Sequence, residues 1–328
     1  MPVQSKLLSI PADIHYLLLS ILPDFRDLAA LILTHRCIYG VFKAGEKTLL
    51  EAVARNFLGA FYDEAVILAY EQGLSRYRRT TNKSTAEGIK LTSRIVQSIE
   101  RNSNVLKSLE SFVYGLLKTN KSLYLQDCYD GLEELEYRSE SERVAYKKTL
   151  LENFVELASF SYTAIPSATE SLRMTAAGYK FWRFTLIQED KHIPFLKELP
   201  IREVLELDHY VQGLLKLIWA MRGAGFSDHD TDCVSGILAT GPWNIWRLWG
   251  ALLEGDMEEY MGEPYGEPYE GFFNYAFFDV LERKQLPSLG GTGTGDGFNS
   301  IFDGDKATHE VLKRLAAKEK GVDVETDA

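Results

Sequence analysis

The amino-acid sequence predicts an all-α fold, in which a small N-terminal module of three helices is followed by an irregular helical bundle. Apolar residues recur at spacings of three and four along most of the chain, and this is the period of a helix with one buried face. Strand signals are nearly absent, since we find no convincing apolar–polar alternation and no Asn-Gly hairpin turn. Of the 328 residues, 45% are hydrophobic, so the chain can bury a substantial core.

The first predicted helix begins near Pro11 and ends at Pro23-Asp24. Proline suits the first turn of a helix, where its missing N–H costs nothing. Asp13 adds a negative charge at the positive end of the helix dipole. The apolar face of this helix is formed by Ile14, Leu17, Leu18, Ile21 and Leu22.

A second and a third short helix follow. Asp24 or Asp27 can cap the second helix through a side-chain oxygen. A third helix begins near Ile38 and carries Tyr39 and Phe42. Three short helices cannot bury a core alone, so we expect them to rest on the rest of the chain, on a partner, or on both. The apolar face of the second helix is formed by Leu28, Leu31 and Ile32.

The stretch of residues 8–42 resembles an F-box, as found in fungal F-box proteins. The residues that carry the resemblance are Leu8, Ile10-Pro11-x-Asp13-Ile14, the run Leu17/Leu18/Ile21/Leu22, Pro23-Asp24, Leu28, Leu31, Thr34-x-Arg36 and Tyr39. The resemblance implies an F-box-like module of three helices that docks the S-phase-kinase-associated adaptor.

The resemblance also implies a function, that of a substrate receptor in a cullin–RING ubiquitin ligase complex. The helical domain that follows would hold a target protein whose identity the sequence does not give. Such a receptor raises the effective concentration of its target at the ligase, so we expect no enzymatic activity and no cofactor. The expected adaptor-binding residues are Pro11, Ile14, Leu17, Leu18, Leu22, Leu28 and Leu31.

Two alternatives stay open. An ordinary N-terminal helical hairpin, in a non-catalytic helical scaffold with no ubiquitin-ligase link, has similar apolar spacing. An enzyme is the third hypothesis, although the six histidines are scattered and no nucleophile–base pair follows from their spacing. Co-purification with the adaptor separates the first two hypotheses.

The chain divides into three predicted regions. These are an F-box-like module at residues 1–58, a helical substrate- or partner-binding domain at residues 59–288, and a Gly-rich loop, terminal helix and acidic tail at residues 289–328. Within the second region, Gly73 is expected to end one helix and Ser103 to cap another. Further expected features are a helix from Ser167 to Leu186, a turn bracketed by Pro194 and Pro200, a long helix from Ile201 to Met221 and a helix opened by Pro242.

Charge and cysteine content restrict the partners and the compartment. The formal net charge of −11 argues against a general nucleic-acid or anionic-membrane binder, because phosphate contacts need clustered Lys and Arg. No run approaches the ~18–20 apolar residues that a membrane span requires. Cys37, Cys128 and Cys233 have no metal or redox spacing, so we interpret them as free thiols and expect a cytoplasmic or nuclear protein.

Three other patterns are candidates for binding. The cluster Asp228–Cys233 contains metal-ligand types, but no second ligand cluster accompanies it, and acidic residues are expected at a helix start. The glycines of Gly290–Gly297 lack the Lys-Ser/Thr of a phosphate-binding loop, which favours a plain flexible loop. Aromatic side chains suit a recognition surface, although core packing is the commoner use. The candidate partner surface comprises Trp243, Trp246, Tyr265 and Tyr269.

Overall fold

A computed structural model describes residues 10–75, 85–118, 165–187, 191–223 and 237–254, together with Ser139, Ser141, Glu142 and Ala145. Every regular element within these ranges is a helix, so the predicted all-α class is confirmed. Contacts between Cα atoms divide the chain into two compact units, Met1–Asn104 and Val105–Ala328. Whether residues 1–58 fold as a module of their own remains a prediction.

The described residues of the first unit form five α-helices and the start of a sixth. Asp24 caps α2 by accepting a hydrogen bond from the Asp27 N–H at 2.8 Å. His35 caps α3 through Nδ1, which accepts from the Cys37 N–H at 3.1 Å, so α3 begins two residues earlier than predicted. The elements are α1 (Ala12–Ser20), α2 (Phe25–Ile32), α3 (Arg36–Ala44), α4 (Glu46–Leu58), a 3₁₀ turn (Gly59–Phe61), α5 (Tyr62–Ser75) and α6 (Ser93–Lys118).

The core of the first unit forms where the three short helices meet α4. Both α1 and α2 pack against α3 and α4. Leu19, Leu49 and Val53 are fully buried there. The ring of Phe25 lies 5.9 Å from that of Phe57, centroid to centroid. Helix α4 therefore covers apolar side chains that the three short helices could not bury on their own.

Two predicted helix boundaries in this part of the chain are wrong. Gly73 lies inside α5 and does not end it. Ser103 does not cap a new helix, because α6 runs without interruption from Ser93 to Lys118 and buries Ser103 within it. The neighbouring Asn102 is also buried, and its side-chain amide donates to Gln72 Oε1 at 3.0 Å. This partner on α5 satisfies an amide that would otherwise disfavour a helix interior.

Within the part of the second unit that the structure describes lie the remainder of α6 and four further helices: α7 (Ala168–Phe184), α8 (His192–Glu198), α9 (Ile201–Gly223) and α10 (Pro242–Glu254). Ser167 begins α7 in a capping box, in which its hydroxyl accepts from the Glu170 N–H and Glu170 Oε2 accepts from the Ser167 N–H. Pro242 opens α10 as predicted, directly after Gly241 at φ 83°, a conformation that favours glycine.

One prediction for the second unit is wrong. Pro194 and Pro200 do not bracket a turn, because residues between them belong to α8. Pro194 occupies the first turn of that helix, where its missing N–H removes no helical hydrogen bond. The helices α7 and α9 then pack against each other and form the core. Fully buried side chains of this core are Met174, Phe181, Phe184, Val204, Leu207 and Leu214.

Candidate functional site

A row of apolar side chains on α1 faces water. Ile14 is 44% exposed, Leu17 is 55% exposed and Ile21 is 62% exposed. Their spacing of three and four places them on one face of the helix, and the exposed Pro11 precedes them at its N-terminal end. We call Pro11, Ile14, Leu17 and Ile21 the α1 stripe.

The other face of α1 belongs to the core. Leu19 is fully buried and His15 is 5% exposed. Leu18 and Leu22 are half-buried at the edge between the two faces. Only part of the apolar surface of α1 is therefore buried in the core of the first unit, and the stripe contributes little to that core. Single exposed apolar residues are normal on a protein surface, but an aligned row is typical of a binding surface.

The stripe is apolar and carries little charge. Asp13 is the one carboxylate among residues 10–22, and it is exposed beside Ile14. The exposed ion pairs of this unit that involve α3 and α4 are Lys43–Glu46 at 2.8 Å and Arg55–Glu51 at 2.9 Å. The hydrogen bond to Glu46 raises the pKa of Lys43. A complementary surface for the stripe would thus be mainly apolar.

The C-terminal end of α1 is held by a side chain of α4. The Asn56 amide nitrogen donates to the carbonyl oxygens of Ser20, at 2.9 Å, and Leu22, at 3.0 Å. The Ser20 hydroxyl also donates to the Leu17 carbonyl at 2.7 Å. These carbonyls lie at the end of a helix, where no further turn supplies donors. The end of the stripe near Ile21 is thereby held both by Ser20 within α1 and by Asn56 of α4.

The predicted adaptor-binding residues lie at different depths. Pro11, Ile14 and Leu17 are exposed, and Leu18, Leu22 and Leu31 are half-buried. Leu28 is only 3% exposed and belongs to the core of the unit. Ile21 was not among the predicted site residues, although it is more exposed than Ile14 and Leu17. Its spacing from Ile14 and Leu17 was the signal that could have identified it.

Two more exposed apolar side chains belong to this unit. Leu33, directly after α2, is 81% exposed, and Tyr39 of α3 is 44% exposed. The ring of Tyr39 lies 6.4 Å from that of Phe42, centroid to centroid. Tyr39 belongs to the F-box-like pattern of the sequence, whereas no sequence signal singled out Leu33.

The candidate aromatic surface is described only in part. Trp243 and Trp246 of α10 are half-buried, with ring centroids 5.3 Å apart. Tyr265 and Tyr269 lie outside the described residues, and so do the cluster Asp228–Cys233 and the loop Gly290–Gly297. Among the residues that are described, no group of three or more His, Cys, Asp or Glu side chains is placed to hold a metal ion.

The second unit pairs polar groups within its core. The hydroxyl of Tyr114 donates to Glu170 Oε2 at 2.9 Å, and both residues are buried. Lys180 of α7 lies 3.2 Å from a Glu203 carboxylate oxygen on α9. Polar groups that are buried need such partners, so these contacts belong to the packing of the helices. Sequence reasoning missed them, since the partners are far apart in the chain.

Carboxyl groups of α9 have altered acidities. Burial raises the pKa of Glu206, although Arg202 bonds it at 2.8 Å and opposes that change. Loss of water around the Asp208 carboxyl raises its pKa to about 6, while a hydrogen bond with Gln212 opposes the rise. The Asp208 residue as a whole is half-buried, so the loss of water is local to its carboxyl group. These groups make stability in the second unit sensitive to pH.

Comparison of the chain with protein-family models, with curated proteins and with solved structures finds no match. A search of the described helices for one with the length and apolar character needed to cross a membrane also finds none.

Proposed function

We propose that the chain is an F-box-type substrate receptor, which links a target protein to a cullin–RING ubiquitin ligase through the F-box adaptor. The observation that supports this proposal is the α1 stripe. The residues Pro11, Asp13 and Ile14, which carry the F-box-like opening of the sequence, lie at the start of the helix whose apolar face is exposed.

The stripe can supply only part of the binding free energy. Complete burial of one large aliphatic side chain is worth roughly 1.5–3 kcal/mol, and the stripe residues are already partly covered. A micromolar complex needs about 8 kcal/mol in total, after the unfavourable entropy of association. We therefore expect the half-buried Leu18, Leu22 and Leu31 to contribute at the edge of the contact, together with exposed groups around it.

In this proposal the chain acts by holding two proteins together. The helices of the second unit would bind the target, and the half-buried pair Trp243 and Trp246 is a candidate part of that surface. The chain would accelerate ubiquitin transfer by proximity and would supply no reacting group. Cytoplasm or nucleus is the expected location, and the exposed free thiol of Cys37 suits a reducing compartment.

A binding measurement with two charged variants tests the proposal. The full chain is titrated with the purified adaptor, and Leu17→Asp is compared with Leu172→Asp on α7. Leu172 is 48% exposed, close to the 55% of Leu17, so it is a matched control outside the stripe. We expect Leu17→Asp to abolish binding and Leu172→Asp to leave it unchanged, with both variants retaining cooperative thermal unfolding.

Two results would count against the proposal in different ways. If the unmodified chain does not bind the adaptor, the non-catalytic helical scaffold without a ubiquitin-ligase link becomes the better hypothesis. If the chain binds and both variants bind equally well, the adaptor uses another surface.

A further inference from the structure

Asn56 makes two hydrogen bonds across a long stretch of sequence. Its amide nitrogen donates to Ser20 and Leu22, which precede it by 36 and 34 residues. An amide nitrogen carries two hydrogens, so these two bonds use its whole donor capacity. The opposite amide orientation would place the side-chain oxygen against two carbonyl oxygens. The contacts therefore select the orientation in which Asn56 donates.

Ile21 lies between the two carbonyls that Asn56 holds. Its own side chain is 62% exposed and provides little anchoring. Pro23 is also exposed and has no N–H to donate. The Ile21 N–H donates to the Leu17 carbonyl at 3.2 Å. The direction of the Ile21 side chain thus depends on how the backbone on either side of it is held.

The N-terminal end of the α1 stripe has other supports. The Ile14 N–H bonds the Pro11 carbonyl at 3.0 Å, and the next residue, His15, is buried. Both N–H groups of the Asn56 amide are used by Ser20 and Leu22, so neither is left to donate to this end. Asn56 itself is exposed, but α4 is anchored by the buried Val53 and Leu58 on either side of it. A change at Asn56 should therefore act on Ile21 and spare Ile14.

We propose that Asn56 is a positioning residue for the adaptor contact, which holds Ile21 in the geometry that the adaptor recognises. This inference rests on the proposed function. Asn56 need not touch the adaptor, since it acts on the stripe through the backbone of residues 20–22. The predicted consequence is an energetic coupling between Asn56 and Ile21 that is absent between Asn56 and Ile14.

A double-mutant cycle on the full chain measures this coupling. Asn56→Asp is the sharper variant, because it places a carboxylate of the same shape against two carbonyl oxygens, and Asn56→Ala is the milder one. Adaptor affinity is measured for each, alone and combined with Ile21→Ala or with Ile14→Ala. We expect Asn56→Asp to weaken binding about tenfold alone and in the Ile14→Ala background, and to have little effect in the Ile21→Ala background.

An equal loss of affinity in both backgrounds would overturn the inference, because a general loss of stability would act in that way. An unchanged affinity in the Asn56 variants would overturn it as well. Thermal unfolding of every variant is measured in parallel to identify any loss of the folded state.

Amide hydrogen exchange in the free protein tests the positioning without the adaptor. Asn56→Ala should accelerate exchange at the Ile21 N–H and leave the Ile14 N–H unchanged. If the unmodified chain does not bind the adaptor, the proposed function fails, and the claim that Asn56 holds Ile21 is decided by this measurement. Equal exchange at Ile21 with and without the Asn56 amide would overturn that claim.

Discussion

Helix α1 of the first unit and helix α9 of the second place their apolar and polar side chains in opposite ways. On α1, the apolar Ile14 and Leu17 face water, as does Ile21, the residue that caps its C-terminal end. On α9, the ionisable Glu206 and His209 are buried, at 7% and 9% exposure. Exposed apolar groups are not needed by the fold that carries them, whereas buried polar groups destabilise it unless they are bonded.

The contrast separates side chains that are exposed and available to a partner from side chains that are buried within the folded chain. Along α9, Glu203 and Glu206 are paired with Lys180 and Arg202. In each pair one side chain is nearly buried, Lys180 or Glu206, while its partner is 35% or 54% exposed. Removal of the more exposed partner leaves the nearly buried charge unpaired, which is unfavourable. The stripe side chains on α1 are apolar, so no buried charge would be left unpaired if they were replaced. Substitutions in the stripe should therefore change binding, and substitutions of the nearly buried Lys180 and Glu206 or of their partners should change stability.

The largest expected effect distinguishes the two faces of α1. Leu19→Ala should lower the free energy of unfolding by about 2–5 kcal/mol, because it opens a cavity in the core. Leu17→Ala, two positions away on the same helix, should change it by no more than about 0.5 kcal/mol. Urea unfolding of both variants measures the difference. Equal losses of unfolding free energy would show that the stripe is part of the core, so the two faces of α1 would not differ in their role.

The second effect concerns Asp208 and depends on pH. Its folded-state pKa of about 6 is above the ordinary value of 3.8, so the native state at neutral pH holds a charge that the unfolded state exposes to water. Asp208 therefore destabilises the fold above pH 6, and this effect fades as the pH falls through 6 and is absent below about 4. Asp208→Asn should raise stability by up to about 3 kcal/mol at pH 8.

Urea unfolding of Asp208→Asn between pH 4 and pH 8 measures this change. Asp13→Asn, which alters an exposed carboxyl of α1, controls for the loss of one negative charge. A difference between Asp208→Asn and the unmodified chain that stays constant across this pH range would contradict the explanation.

The third effect uses two buried tyrosines of the second unit. Tyr114 and Tyr210 are each 1% exposed, but the Tyr114 hydroxyl bonds Glu170, whereas none of the described residues hydrogen-bonds the Tyr210 hydroxyl. Tyr114→Phe should destabilise the chain by about 1–3 kcal/mol, because Glu170 loses a donor. Tyr210→Phe should be neutral or stabilising. Thermal unfolding of both variants compares their stability. A larger loss for Tyr210→Phe than for Tyr114→Phe would show that the hydroxyl hydrogen bond does not determine the effect.

Local chemistry explains which parts of the fold could be predicted from the sequence. Asp24 was one of two predicted caps for α2, and the structure selects it. The start of α7 was predicted near Ser167, and the structure shows a capping box there with Glu170; Pro242 predicted the start of α10. Each of these signals acts within one helical turn, so the sequence contains all of the interacting groups.

Contacts between distant residues explain what could not be predicted. Asn102 lies inside the uninterrupted α6 and bonds Gln72, a partner 30 residues away that no local pattern indicates. Likewise, periodicity showed that Leu28 and Ile21 lie on apolar faces, but it could not show that Leu28 is buried and Ile21 exposed. That distinction depends on where α3 and α4 pack, and no local pattern specifies it.

Hydrogen–deuterium exchange of the full chain, with and without saturating adaptor, shows where the adaptor binds without any substitution. We expect slower exchange in residues 11–22, centred on the α1 stripe, and unchanged exchange in α7 and α9. Slower exchange confined to residues 168–184 or 201–223, or no change anywhere in the chain, would contradict this expectation.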